Sequence, residues 1–214
     1  IYREVCSACH SLKYVSFRDF AALGYDEGQI KTIAQEWPAE TPSVNPDTGE
    51  ATTRKPIATD KIPSPYPNDV AARAANNNAI PPDLSLMTKA RHDGSAYVYS
   101  LLTGYQNPPA DLAKKFPDSM PGKTTHYNPY FANLNLAMAA PLNTDGQVTY
   151  GEGAPKPTVS QMSKDVAAFL TWTAEPKLEQ RKRAGTAAVI CLLIFLGLCI
   201  GAYKNIWADK KTVA

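Results

Sequence analysis

Hydrophobic residues recur at helical spacing in three stretches of the chain. SFRDFAALG (Ser16 to Gly24) and YDEGQIKTIAQEW (Tyr25 to Trp37) predict two short helices, the first stopped by Gly24. SQMSKDVAAFLTWTAEP (Ser160 to Pro176) sets Met162, Val166, Phe169, Leu170 and Thr173 on one face. It predicts an amphipathic helix packed on a globular body, with Ser160 or Ser163 as N-cap. The stretches Pro38 to Pro82 and Gln106 to Pro129 are dominated by Pro, Asn, Asp, Thr and Lys and predict loops or Ω-like excursions. A different pattern closes the chain: AGTAAVICLLIFLGLCIGAY, Ala184 to Tyr203, runs 20 residues without a charge. A helix rising ~1.5 Å per residue crosses a hydrocarbon core of ~30 Å over that length. A soluble core helix rarely lacks charge on every face, so the run predicts one membrane span. Gly185 and the GxxxG pair Gly197 and Gly201 would let partner helices approach.

With 214 residues and 44% hydrophobic content the chain builds one core, not two. The expected division is a globular domain over 1–176, a basic juxtamembrane linker over 177–183, a transmembrane helix over 184–206 and a short tail over 207–214 on the opposite side. Pro 18 and Gly 12, mostly mid-chain, predict a mainly α, loop-rich domain. Ile1 to Pro176 holds 15 Lys+Arg against 18 Asp+Glu, a net −3, while the rest holds 7 against 2. A mildly acidic domain speaks against a nucleic-acid partner. Lys177, Arg181, Lys182 and Arg183 before the span are matched by Lys204, Lys210 and Lys211 after it, so flanking charge does not orient it. A leader, and some mature residues, are expected to precede Ile1.

The chemistry concentrates in VCSACHSLKYVSF, residues 5 to 17, where Cys6 and Cys9 are followed at once by His10. Four readings compete. A structural zinc site needs four ligands, and the other cysteines, Cys191 and Cys199, lie inside the expected span. A thioredoxin-like pair needs a βαβ setting that this proline-rich chain does not show. A disulfide closing so small a loop gains little chain entropy. The fourth reading is covalent haem: in C-x-x-C-H two thiols add to the haem vinyl groups and the adjoining imidazole is held against the iron. Candidates for the sixth ligand are His92, His126, Met87, Met120, Met138 and Met162. Met162 sits in the late amphipathic helix, where methionine commonly fills core, and Met120 sits in a polar loop. Met138, in NLAMAAPL, is a thioether in an apolar, turn-ended segment and is the best candidate by environment. Buried propionates need charge or hydrogen bonds; Arg91, heading an apolar and aromatic stretch, is one partner, and a surface arginine before a helix reads equally well.

The ordered set VCSACHSL, AARAANN (71 to 77), IPPDLS (80 to 85), ARH with Tyr97, SLLTGY (100 to 105), NPYF (128 to 131) and SKDV (163 to 166) through AEP (174 to 176), ending in a C-terminal span, resembles the cytochrome c1 family over nearly the whole chain. The resemblance implies a c-type cytochrome domain with one haem c attached through Cys6 and Cys9. His10 and Met138 would be axial ligands, Arg91 the propionate partner, and Asn76, Pro82, Tyr97, Leu101, Leu102 and Phe131 the pocket lining. It implies an electron-transfer subunit of a respiratory or photosynthetic bc1 complex, ubiquinol:cytochrome c oxidoreductase. Such a subunit passes electrons from the Rieske iron–sulfur protein to a soluble or anchored cytochrome c, beside cytochrome b, in a dimeric complex. The haem domain would face the periplasm from a bacterial inner membrane, or the intermembrane space from a mitochondrial one. The family pattern has two prolines after Met-Ala where this chain has Ala140 and Pro141. The long segment from Gln106 to His126 favours the bacterial setting.

Overall fold

The turn that leads into the cysteine pair is wider than an α-helical one. In the computed structural model, which describes residues 1–209, Tyr2–Cys6 forms one turn of π-helix, closed by the Ser7 N–H on the Tyr2 carbonyl at 2.8 Å. The N–H groups of Cys9 and His10 then both return to the Cys6 carbonyl, at 3.1 and 2.9 Å, so Cys6, Cys9 and His10 share one tight coil. Phe17–Leu23 is a 3-10 helix, tighter than the α-helix its pattern suggests; the Asp19 carboxylate accepts from the Ser16 N–H at 2.8 Å at its start. Gly24 stops it at φ +93°, where a Cβ would strain the backbone. Helix α1 (Glu27–Gln35) opens on a reciprocal box: Asp26 accepts from the Gln29 N–H at 2.8 Å and Gln29 accepts from the Asp26 N–H at 2.9 Å. Such a cap stabilises a helix by about 1 kcal/mol.

The two expected loops hold elements that an apolar pattern cannot signal. Strands β1 (Thr41–Val44) and β2 (Ala51–Arg54) pair antiparallel, Thr41 opposite Arg54 and Val44 opposite Ala51. Both are mostly polar, and β1 alternates with Pro42 and Val44 on its exposed side, so neither shows the apolar-inward alternation that marks a half-buried strand. The Asn45 side chain, accepting from the Asp47 N–H at 2.9 Å, and Gly49 at φ +73° turn the hairpin. Helix α2 (Asp69–Ala75) follows, capped by Asn68 accepting from the Ala71 N–H at 2.9 Å. After helix α3 (Gly94–Thr103) the second expected loop contains the short helix α4 (Leu112–Lys115), a 3-10 turn at Pro117–Ser119 and strand β3 (His126–Tyr127), paired with β4 (Asn135–Leu136).

Helix α5 (Val159–Ala174) packs on α3 and buries a stripe of Met162, Val166, Leu170 and Ala174, flanked by the buried Ser163, Ala167 and Thr173. Its cap differs from the expectation: the Thr158 hydroxyl accepts from the Gln161 N–H at 3.1 Å, whereas Ser160 meets the Tyr99 hydroxyl at 3.0 Å and Ser163 is buried. The helix starts before either serine, so neither occupies the capping position. Six rings close a loop in the core, Tyr2, Trp37, Phe17, Phe20, Trp172 and Phe169, with successive centroids 5.3 to 6.2 Å apart. Full burial of residues such as Leu12 and Phe17 contributes ~1.5–3 kcal/mol each.

The chain divides after Ala174. In the second unit helix α6 (Leu178–Trp207) runs 30 residues, about 45 Å, without a buried residue. It exposes Leu192, Leu193, Phe195 and Leu198 and is long and apolar enough to cross a membrane. The segment expected as a linker is therefore helical from Leu178 onward. Of the expected tail, residues 210–214 lie outside the described residues.

Candidate functional site

His10 is oriented by a strap from the middle of the chain. Its ring Nδ1 lies 2.8 Å from the Pro82 carbonyl oxygen, which can only accept, so Nδ1 carries the proton and Nε2 keeps its lone pair. Burial pushes the imidazole below its ordinary value, against the pull of the Pro82 carbonyl and the Asp83 carboxylate, and so favours this neutral form. The strap is sewn down just beyond Pro82. Asp83 accepts from the Ser11 hydroxyl at 2.7 Å and the Lys13 N–H at 2.9 Å, the Leu84 N–H donates to the Ser11 carbonyl at 2.9 Å, and the Tyr14 N–H donates to the Ser85 hydroxyl at 3.2 Å. Leu12 and Leu84 are buried between these bonds. On the other flank the buried Tyr2 hydroxyl donates to the His10 carbonyl at 2.8 Å. Cys6 and Cys9 are half-buried and unbridged, and burial pushes the Cys6 thiol up to about 11. The Tyr66 side chain lies beside both Cys9 and Asn76.

Met138 is carried by a different part of the fold. It lies two residues after β4 and is half-buried, and its carbonyl accepts the Tyr105 hydroxyl at 3.0 Å. Tyr105 stands just beyond the C-terminal end of α3, the helix that bears Tyr97, Leu101 and Leu102. Asn128, fully buried, ties the same helix end to the hairpin: its amide donates to the Leu101 carbonyl at 2.8 Å, and its side-chain oxygen accepts from the Tyr130 N–H at 3.0 Å. Gly104 allows the approach, because a Cβ there would lie 2.5 Å from the Tyr130 ring. Beyond Met138 the Gln147 amide donates to the Pro141 carbonyl at 2.7 Å, and Leu142 is buried. A cavity of about 530 Å³ opens beside this segment, lined by Tyr105, Gln106, His126, Tyr127 and Ala140 among others.

The Cytochrome C1 family model matches residues 1–210. The chain belongs to the cytochrome c1 family. It is 45% identical to the mitochondrial haem protein cytochrome c1-2 of Solanum tuberosum over 99% of its own length and 77% of that protein's. It is likewise 45% identical to the mitochondrial cytochrome c1 of Saccharomyces cerevisiae, covering 65% of that protein, and 41% identical to the cytochrome b/c1 of Bradyrhizobium diazoefficiens, covering 32%. The chain thus spans about two thirds to three quarters of the two mitochondrial relatives and a third of the bacterial one. Cytochrome c1 is the haem subunit of the bc1 complex, an electron-transfer component of ubiquinol:cytochrome c oxidoreductase, and works beside cytochrome b and the Rieske protein. Proteins of the family carry covalently bound haem c.

The groups of this family member fit such a cofactor: two unbridged thiols on one coil, an imidazole whose Nδ1 is already engaged, and a thioether on an anchored loop. Among the other candidate ligands, His92 and His126 are exposed, Met120 is 45% exposed, and Met162 is fully buried beneath Leu142 and Val148. Tyr97, Leu102, Met87 and Cys6 pack on one core cluster. Pro82, expected as lining, meets His10 through its carbonyl, and Phe131 donates its N–H to the Asn128 carbonyl at 3.2 Å. Arg91 is exposed, with its guanidinium on the Ala90 carbonyl at 3.0 Å. Sequence reasoning missed Asp83, Tyr105 and Asn128. Each stood in a quoted motif, and the available signal was a hydrogen-bonding side chain set among apolar neighbours.

Proposed function

We propose that Cys6 and Cys9 would hold haem c covalently and that His10, through Nε2, and Met138, through its sulfur, would ligate its iron. Haem supplies reversible one-electron chemistry, at a potential that a thioether ligand raises. With the chain supplying both ligands, the iron would have no position left for a substrate. Arg91 neutralises a propionate, and Asn76, Pro82, Tyr97, Leu101, Leu102 and Phe131 line the pocket and exclude water. The chain takes one electron at a time from the Rieske iron–sulfur protein and delivers it to a soluble or anchored cytochrome c. Quinol oxidation and proton translocation belong to the whole complex, which works as a dimer.

The observation that carries this reading is the 2.8 Å contact of His10 Nδ1 with Pro82, which fixes the neutral imidazole directly after two free thiols in a member of this family. The haem domain, 1–176, lies outside the energy-transducing membrane, in the periplasm of a bacterium or in the mitochondrial intermembrane space. The 184–206 span anchors it, with the end of the chain inside. The net −3 of the domain suits a basic cytochrome c.

A redox-difference spectrum of the purified complex tests the assignment: c-type and b-type haem bands together support it, and c-type haem alone points to a free-standing carrier. Met138→Leu is expected to abolish the thioether-to-iron absorption band, lower the potential and leave covalent attachment intact. An unchanged spectrum would move the ligand elsewhere.

A further inference from the structure

We infer that Tyr105 is a positioning residue for the Met138 thioether: its hydroxyl, through the Met138 carbonyl, sets how firmly that ligand is retained. The inference rests on the reading of Met138 as an axial ligand and adds a residue to it.

The Met138 segment reaches the domain through few anchors. Behind it, β4 is two residues long and pairs with an equally short β3. Ahead of it, the next buried side chain is Leu142. Between Leu136 and Pro141, Tyr105 makes the one side-chain hydrogen bond that the described residues give this backbone, at 3.0 Å and on the ligand residue itself. Its own mount is rigid. Tyr105 follows Gly104 at the end of α3, where Asn128 bonds the Leu101 carbonyl and the Tyr130 ring lies against Gly104. Removing this hydroxyl takes one net hydrogen bond from the seat of Met138 while leaving its side chain untouched.

The test compares Tyr105→Phe with Tyr99→Phe in the haem-loaded complex. Both substitutions delete one oxygen atom and leave the ring in place. Tyr99 lies on the same helix, but its hydroxyl faces Ser160 of α5 at 3.0 Å. The readout is the concentration of imidazole that displaces half of the thioether-to-iron band in the oxidised protein, with the rate of CO binding to the reduced protein beside it. For Tyr105→Phe the half-displacing imidazole concentration is expected to fall by about threefold to tenfold, the range one net hydrogen bond supplies. CO binding should accelerate and covalent haem content stay the same, while Tyr99→Phe should match the unaltered protein. Equal behaviour of Tyr105→Phe and the unaltered protein overturns the inference. So does an equal fall in both variants, which would make the effect a general loosening of α3 on α5. Met138→Leu separates this from the reading beneath it: if the band survives there, the ligand assignment fails; if it vanishes while Tyr105→Phe is silent, only the positioning role fails.

Discussion

The His10 and Met138 sides of the candidate site are built to different standards of rigidity. Around His10, four hydrogen bonds join residues 11–14 to residues 83–85 across 70 or more positions of chain, over the buried Leu12 and Leu84. Around Met138, the backbone between Leu136 and Leu142 is held by Tyr105 and Gln147 beside an open cavity. A dense, partly buried network breaks as a unit, whereas sparse anchors yield one at a time. On the proposed ligation, the imidazole side would fix where the cofactor sits, and the thioether side is where ligand strength, and with it the potential, would be free to vary.

The largest expected effect comes from breaking the rigid side. Asp83→Ala strips the acceptor from the Ser11 hydroxyl and the N–H groups of Lys13 and Ser85, which lie 2.7, 2.9 and 3.0 Å from it. Loss of these charge-assisted bonds should cost ~3 kcal/mol. Denaturant unfolding of the haem-loaded chain should show the lowered midpoint, with the thioether band unchanged until unfolding begins. A variant that lost the band well before unfolding would mean that the two sides are one unit.

Acid should also strike the His10 side. The Arg54 guanidinium, 2.6 Å from Asp60, holds that carboxyl below the usual range. Asp60 also accepts from the Ile57 N–H at 2.8 Å, and its carbonyl accepts from the Phe17 N–H at 3.1 Å, at the start of the 3-10 helix that follows the coil. A depressed carboxylate contributes stability that is fully present above its unfolded value of ~3.9 and is lost as pH falls through the lower folded value. Stability measured from pH 6 downward should therefore fall through that window. Asp60→Asn should start lower at pH 6 and fall less steeply, by a smaller margin than Asp83→Ala; a parallel fall would remove the pair from the acid response.

Legibility followed the same divide. The cysteine coil, Gly24 and α5 could be read because local chemistry sets them: a fixed motif, a residue suited to positive φ, and an apolar stripe recurring at helical spacing from Met162 to Ala174. The polar hairpin of β1 and β2 could not, because its cohesion is main-chain bonding, which leaves no apolar trace. Met138 could be singled out by its surroundings, but nothing local to it announces Tyr105, 33 positions earlier. Pro82 entered as a lining residue, although its carbonyl orients His10 from 72 positions away. Long-range bonds to carbonyl oxygens are invisible in a single sequence, since every residue offers the same acceptor.

The smallest predicted effect bears most directly on how the Met138 side is tuned. Gln147 is exposed, donates to the Pro141 carbonyl at 2.7 Å and accepts from the Asn143 N–H at 3.1 Å, three and five residues beyond the methionine. Water can replace both bonds at an exposed site, so Gln147→Ala should change stability by less than about 1 kcal/mol. If Tyr105 acts through its bond to Met138 itself, the imidazole concentration that displaces the thioether should move less than about twofold in Gln147→Ala, because water takes over most of what the lost amide gave. If retention depends instead on the stiffness of the whole turn, Gln147→Ala should match Tyr105→Phe despite its distance from the methionine. An equal response would assign thioether retention to the turn; a graded one would assign it to the single hydroxyl that reaches the methionine's own backbone.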